Sequence, residues 1–354
     1  MRKSLTPQMW NGRSVLVTGA TGFVGSRLVK ALLERGATVT CFIRDHDYSC
    51  PLWFEGDVHR VRVMSGKLDC WEDVKCAVVE REIDTVFHLG AQALVGVGAN
   101  DPAATYSSNV MGTVHLLEAC RLYGKSLKRI VIASSDKAYG ECETLPYKED
   151  TPLKARNPYD VSKCCTDLIA QSFAATYAMP VAIARCGNIY GPGDLHWSRL
   201  IPGTIRNLLK GERPVIRSDG TLIRDYLYVD DAITAYLSLA DWLDASAGAS
   251  ADRCAFNFSS EKPMTVMQMV RLIQIAAQRE DIEPEILNEA KGEIRAQHLD
   301  CERAKSLLAW KALTPTERAV HQTVQWYTKY LRQTGELRFE EPKLNNAGLA
   351  WSSL

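Results

Sequence analysis

Charge imbalance is the first thing this 354-residue chain lacks: Lys plus Arg and Asp plus Glu both number 42, so the formal net charge is zero. With no basic surplus, a nucleic-acid partner is not expected, and any bound phosphate must be met by a few placed cations. The 11 cysteines are odd in number and scattered, with no Cys-x-x-Cys pair. That excludes a disulfide framework and points to reduced thiols in a cytoplasmic protein. No metal is expected. No stretch approaches the roughly 18 apolar residues of a membrane helix. Arg2-Lys3 is followed by no apolar segment before Gly12, so neither a membrane span nor a leader is expected. Internal repeats are also missing.

What is there is alternation. Ser14-Val15-Leu16-Val17 reads as a strand, and a helix through Ser26–Leu33 closes at Gly36. Further strands are expected at Ala37–Ile43, Arg60–Met64, Thr85–His88, Arg129–Ala133 and Val181–Arg185, with helix-period segments between them. This order implies an α/β fold, a Rossmann-type doubly wound parallel sheet. Beyond Gly191 the pattern loosens, and Leu200–Lys210 and Thr265–Ala277 look helical. We expect a cofactor domain over 10–190, with returns to the main sheet near Tyr226–Leu239 and Ala255–Phe258, within 222–258. A smaller, mixed α/β substrate lobe is expected over 191–221 and 259–334, and a tail over 335–354.

Gly19-x-x-Gly22-x-x-Gly25 follows a strand and opens a helix, the context that makes this pattern a dinucleotide turn. The first Gly permits the turn, the second lets amides near a pyrophosphate, and the third packs helix on strand. Thr21, Phe23 and Val24 lie within the turn and count with it as cofactor candidates. Leu68-Asp69 follows the third strand, where a carboxylate can accept from an adenine amino group. His88-Leu89-Gly90-Ala91-Gln92 leaves room for cofactor, with Leu89, Ala91 and Gln92 the candidates and His88 a hydrogen-bonded core histidine. The second strand ends Phe42-Ile43-Arg44-Asp45. An NAD site there has an acid for the ribose diol, which Asp45 supplies one residue late, while Arg44 could meet a 2′-phosphate. NAD is the expected cofactor, with NADP open.

The most informative stretch is Ser134-Ser135-Asp136-Lys137-Ala138-Tyr139-Gly140, followed by Tyr159-x-x-x-Lys163. Tyr159 and Lys163 lie one turn apart on one helix face, and Ser135 comes from a strand end. The Lys163 ammonium is expected to lower the Tyr159 phenol pKa and make it a base for a sugar hydroxyl. Asp136 and Lys137 add an acid and a second base that simple oxidation does not need. They point towards removal of water.

These residues together resemble the extended short-chain dehydrogenase/reductase family, in its nucleotide-sugar epimerase/dehydratase branch. The likeness runs from Trp10 to about Leu331. Within the branch it looks most like the CDP-glucose 4,6-dehydratases. It is carried by Trp10-x-Gly12-x-x-Val15, Val86-Phe87-His88 through Gln92, Thr105-Tyr106 with Asn109-Val110-Met111-Gly112-Thr113, Ser135–Tyr139, Arg185-x-Gly187-Asn188 and Gly193-Asp194 leading to Arg199-Leu200-Ile201-Pro202. Asp136-Lys137 is the most specific element. Tyr190-Gly191-Pro192-Gly193 and Arg224–Asp231 look more like the dTDP- and UDP-sugar enzymes.

The resemblance implies a nucleotide-sugar substrate and places Asn109 among the cofactor contacts. Tyr159 would take the C4 hydroxyl proton as the C4 hydride leaves. A base, Lys137, would take the C5 proton that the new ketone acidifies. Asp136 would protonate the departing C6 hydroxyl, and hydride return to C6 would give a 4-keto-6-deoxy sugar. For these roles Asp136 must hold a proton and Lys137 must be neutral. Arg224 is implied as a diphosphate contact, with Arg199 and Arg295 further candidates and Asn188 a donor to pyrophosphate or sugar. His196 and Trp197 could line the sugar pocket. A homodimer is implied through helices near Asn109–Arg121 and Tyr159–Tyr177, with Val114, Leu116, Leu117, Leu168, Ile169 and Phe173 as apolar surface. The competing readings are a nucleotide-sugar 4-epimerase, for which Asp136-Lys137 has no use, and a non-catalytic dinucleotide binder, for which Tyr159 has none.

Overall fold

In the computed structural model, which describes residues 10–80, 82–245, 253–289 and 293–337, seven strands form one parallel sheet. They are β1 Ser14–Thr18, β2 Thr38–Ile43, β3 Arg62–Ser65, β4 Thr85–His88, β5 Arg129–Ala133, β6 Val181–Cys186 and β7 Ala255–Phe258, in the order β7-β6-β5-β4-β1-β2-β3. Every neighbouring pair is parallel. The order reverses between β1 and β4, and a cleft opens there at the carboxyl ends of the strands.

Successive residues of each strand serve opposite faces, and the sequence fills both with apolar side chains. Val15, Val17, Val131, Ala182 and Ala184 join one core, with Leu28 and Leu32 of the first helix. Leu16, Val86, Ile130, Ile132 and Ile183 join the other, with Leu116 and Leu117. Truncating a wholly buried side chain such as Leu32 to Ala would cost about 2–5 kcal/mol.

Three helices position the site. Helix α1, Phe23–Glu34, ends where Arg35 N and Ala37 N both bond Leu32 O at 3.1 Å, with Gly36 in the left-handed region at φ 84°. A glycine takes that conformation without strain. Helix α2, Gly112–Tyr123, follows a π-helical turn at Ser107–Met111. Helix α3, Pro158–Tyr177, starts on an extended Asn157 and has Pro at its first position, where the missing N–H costs nothing. Helices Leu200–Lys210, Val266–Ala277 and Thr316–Gln333 pack on one another outside the sheet.

The sheet differs from expectation in one place. Tyr226–Tyr228 does not return to it: among the described residues this strand pairs only with Asn188–Tyr190, and helix Val229–Ala245 follows at once. The alternation of Tyr226-Leu227-Tyr228 reads as a strand, but helical spacing of apolar residues takes over after it. Ala255–Phe258 does return, as the edge strand β7. Leu116 and Leu117 are also not outward-facing, since both are fully in the core, while Ile169 and Phe173 are half-covered by it and Leu168 is exposed. Of the expected tail, residues 338–354 lie outside the described residues. Its first part is tied down, because Glu336 accepts from Arg206 and Lys210, each at 2.6 Å.

Candidate active site

The glycine turn closes as its spacing requires. Gly19 has φ 72°, and a Cβ there would stand 2.7 Å from Gly90 N. A Cβ on Gly25 would stand 2.0 Å from Gly19 O, so the turn and the first turn of α1 touch backbone to backbone. No side chain caps α1 and no acid occupies its first turn, which leaves its amides free for a pyrophosphate. These features fit a dinucleotide. Phe23 and Val24 reach on into a cavity of about 830 Å³, joined by Leu89 and Ala91 from the end of β4.

Behind this ledge His88 is a core residue: Nδ1 lies 2.8 Å from Thr18 Oγ1 and Nε2 3.2 Å from Thr113 Oγ1. Burial pushes its pKa down to about 3, helped by the Lys163 charge. Asn109 takes a different place from the one implied for it. Its Oδ1 accepts from Gln92 N at 2.6 Å, and its Nδ2 donates to Gln92 O at 3.0 Å and Ser162 Oγ at 2.9 Å. Buried and fully engaged, Asn109 clamps the ledge to α3 and has no donor left for a cofactor. At the far end, Leu68 packs against Gly90 and Gly112, and Asp69 accepts from Ser107 Oγ at 3.1 Å. The exposed Arg44 donates to Asp45 Oδ2 at 2.6 Å.

All five residues singled out for chemistry line the same cavity: Ser135, Asp136, Lys137, Tyr159 and Lys163. Ser135 ends the chain segment that leaves β5, and its Oγ accepts from Lys137 N at 3.2 Å to cap a 3-10 turn over Asp136–Tyr139. That turn stops at Gly140, φ 69°, where a Cβ would strike Lys154 O at 2.3 Å. Asp136 Oδ1 accepts from Ser135 Oγ at 3.1 Å, while the buried Oδ2 has no partner among the described residues. Lys137 Nζ donates to Gln297 Oε1.

Tyr159 and Lys163 stand one turn apart, but the expected electrostatics are corrected here. Burial pushes the Tyr159 phenol up to about 12, and Asp136 and Asp160 add to it, while Arg199 and the Ser135 hydroxyl pull the other way. Burial also pushes Lys163 down to about 8, with its Nζ donating to Ala133 O at 2.8 Å. Desolvation dominates both groups. The cation that draws the phenol down is Arg199.

Of the phosphate candidates, Asn188, Arg199 and Arg224 line the cavity, and Arg295 does not. Arg295 is exposed, and its segment bonds Ile223 through the backbone alone. Asn188 Nδ2 is buried without a partner among the described residues. Arg199 pairs with Asp194 at 3.0 Å and Arg224 with Glu293 at 2.8 Å. Trp197 lines the cavity, whereas His196 is exposed.

Sequence reasoning missed three buried polar groups around Asp136 and Lys137. Asp160, directly after Tyr159, keeps Oδ1 unpartnered among the described residues, and the Lys137 charge bears on it. Asp225 is wholly buried, accepting from Ser259 Oγ and Leu299 N. Burial pushes it up to about 6, against those donors and with the Asp136 charge. Gln297 is the third. An acid next to the motif Tyr was visible, but Asp225 and Gln297 carry no local signal. Among the described residues, no group of three His, Cys, Asp or Glu is placed to hold a metal.

The model of the NAD dependent epimerase/dehydratase family matches residues 15–250. The chain is 30% identical to the CDP-glucose 4,6-dehydratase of Salmonella typhimurium, over 91% of this chain and 92% of that protein. It is 29% identical to a dTDP-glucose 4,6-dehydratase of Xanthomonas campestris, over 88% of this chain and 92% of the other. Among solved structures, the dTDP-glucose 4,6-dehydratase of Bacillus anthracis in complex with NAD superposes with a TM-score of 0.76 at 28% identity, covering 90% of this chain and 97% of that one. The UDP-glucose 4-epimerase of Thermotoga maritima with UDP-glucose gives 0.80 at 28% identity, covering 90% and 99%.

Proposed function

Because the chain belongs to the NAD dependent epimerase/dehydratase family, we propose that it is a nucleotide-sugar 4,6-dehydratase converting CDP-glucose to CDP-4-keto-6-deoxyglucose. The observation that carries this reading is the presence of Asp136 and Lys137 on the same cavity wall as Tyr159. Oxidation at C4 needs one base, whereas elimination across C5 and C6 needs another base and an acid.

When bound, NAD supplies the acceptor for the C4 hydride and its donor back to C6. Tyr159 takes the O4 proton, with Arg199 and Ser135 favouring the phenolate and Lys163 beside it. The ketone so formed acidifies the neighbouring C5 hydrogen, which Lys137 takes. Asp136 gives its proton to the C6 oxygen as it leaves. Its Oδ2, free of protein partners among the described residues, is the oxygen that carries that proton. Asn188, Arg199 and Arg224 meet the diphosphate and sugar, Arg199 and Arg224 keeping the planar fork suited to phosphate. The turn Gly19–Gly25, Leu89 and Ala91 cradle the cofactor, and Asp69 and Asp45 serve its adenosine end.

A 4-epimerase would share Ser135, Tyr159 and Lys163 and has no use for Asp136 and Lys137. A panel of CDP-, dTDP-, GDP- and UDP-hexoses read by mass spectrometry decides. A product lighter than its substrate by one water supports the dehydratase, and a product of unchanged mass would replace it with the epimerase.

The wider organisation belongs to the same reading. The main sheet and its helices, within 10–190 and 222–258, serve the cofactor, and 191–221 with 259–334, joined by Asn188 and Arg224, serve the sugar nucleotide. The protein works as a homodimer. Supporting this, Met111, Leu122, Leu168 and Tyr177 leave apolar surface exposed along α2, its preceding turn and α3. A cytoplasmic location is supported by all 11 cysteines being free, and no described helix is long and apolar enough to cross a membrane.

A further inference from the structure

Gln297 lies outside every motif read in the sequence, yet it is wholly buried and its Oε1 accepts from Lys137 Nζ. Its Nε2 is equally buried and lies on the side of the Tyr147 hydroxyl, whose pKa it draws down. Its place does not depend on Lys137. Ile223 N donates to Arg295 O at 2.9 Å, Gln297 N to Ile223 O at 3.2 Å and Leu299 N to Asp225 Oδ2 at 3.1 Å. The amide is thus delivered to the ammonium by a backbone already pinned on both sides of it.

A lysine that works as a base must be held in two states. The ammonium only donates, whereas the neutral amine also presents a lone pair. A carboxylate partner would favour the ammonium and oppose its loss of a proton. An apolar partner would leave Nζ unanchored. A primary amide does neither, because it has no net charge, an acceptor on one side and a donor on the other. The terminal torsion joining it to the side chain is soft and roughly two-fold. With Oε1 towards Nζ it accepts from the ammonium, and turned over it donates through Nε2 to the neutral amine. In the ammonium state Nε2 is left to the Tyr147 hydroxyl, a group that can accept from a donor or donate to an acceptor and so suits either orientation of the amide.

We propose that Gln297 is the positioning residue that holds Lys137 Nζ at the cavity wall in both of its protonation states. The proposal rests on the reading of Lys137 as the group that takes the C5 proton. In that step the C5–H bond breaks and an N–H bond forms on Nζ. The electron pair enters the C4–C5 enolate and expels the C6 oxygen, which leaves as water with the proton of Asp136. A proton from Nζ later returns to C5, after exchange with the medium. The Lys137 charge bears on Asp160 of α3, Asp136 stands next to Lys137 on the same turn, and the phenols of Tyr159 on α3 and Tyr147 in the loop before it both feel Asp136. Gln297 is the neutral member of this shell.

The test uses the full chain with NAD bound and follows deuterium entering C5 of CDP-4-keto-6-deoxyglucose in D2O, across a range of pH. Oxidation of CDP-glucose is read separately by nicotinamide absorbance. Gln297→Leu should slow C5 exchange by about 10²-fold, the lower end of what a positioned base contributes, and leave oxidation within about threefold. Gln297→Asn should retain part of the exchange. Gln297→Glu should displace the limb on which exchange rises with pH upwards by at least about one unit, because a carboxylate favours the ammonium. Lys137→Met is run beside them. If Lys137→Met exchanges like wild type, the reading beneath the proposal fails. If Lys137→Met is inert while the Gln297 variants exchange at wild-type rate and pH, the proposal alone is overturned. Equal loss of oxidation and exchange in every Gln297 variant would also overturn it, as a merely structural role. Should Gln297→Leu not fold, an undisplaced limb in Gln297→Glu decides against it.

Discussion

Arg185 and Asp167 meet in a two-point ion pair, Nε to Oδ2 and Nη2 to Oδ1 both at 2.8 Å, with neither side chain more than 3% exposed. Arg185 Nη1 donates onward to the Tyr139 hydroxyl and the Glu149 carbonyl, both at 2.9 Å. Tyr139 ends the turn that carries Asp136 and Lys137, stacks on Tyr147 at 4.9 Å and donates to Asn257 at 2.7 Å. Breaking one side of such a buried pair costs about 3–5 kcal/mol. The proposed acid and base therefore stand on a rigid floor. An isosteric change at either residue alters chemistry and leaves that floor intact.

Asp136→Asn keeps the side-chain shape but has no acidic proton for the C6 oxygen. It should still oxidise C4 and then stall, so that a 4-keto-hexose accumulates in a single turnover. Lys137→Met should stop at the same stage. Mass spectrometry of quenched reactions reads both. A 4-keto-6-deoxy product formed near the wild-type rate would make the pair structural, and a variant that never oxidises C4 would make Asp136 a substrate contact.

Tyr159→Phe removes only the hydroxyl. Turnover should fall by about 10²–10⁴-fold, the contribution expected of a general base, while NAD affinity by calorimetry changes little. Turnover within about threefold of wild type would end the assignment.

Asp225 gives a pH-dependent stability. Folding raises its carboxyl from 3.8 to about 6, so between those values the folded chain binds more protons than the unfolded one. Its contribution to stability falls as pH climbs through this window, and the handicap is complete above it. Asp225→Asn should therefore be the more stable chain at pH 7, by on the order of 2–3 kcal/mol. The gap should close as pH drops towards 4. Thermal melts of both chains check it, and a gap independent of pH would refute the argument.

The homodimer should appear at micromolar concentration in light scattering. Leu168→Glu places a charge on an exposed face of α3 and should shift the species to monomer without lowering the melting temperature of the monomer. A wild-type chain that scatters only as monomer would remove the dimer.

The parts legible in the sequence are those whose geometry is local. Gly19, Gly22 and Gly25 define their own turn, Tyr159 and Lys163 their own helix face, and β1 to β6 alternate with helices. The parts that were not legible are made by long-range contact. Lys137 and Gln297 are 160 residues apart, and neither an amide nor its spacing marks it as a partner for a lysine. Arg295 drew attention as a cation, while two positions on, Gln297 is the side chain that turns inward. Leu116 and Leu117 show the same limit, since an apolar helix face looks alike whether it meets a core or another chain. Tyr159 shows it for electrostatics. A lysine one turn away predicts attraction, but burial of the whole site decides the sign, and only the folded chain reveals burial.

Asn109 binds the ledge at Gln92 to Ser162, which lies between Tyr159 and Lys163 on α3. Arg44 and Asp45, just past the end of β2, are each about two-thirds exposed and bond one another. The two places are thus unequally open to evolutionary drift. A lineage could exchange residues 44 and 45, which are proposed to face the ribose, without moving a catalytic atom. The nicotinamide end can change only in concert with the helix that bears the phenol.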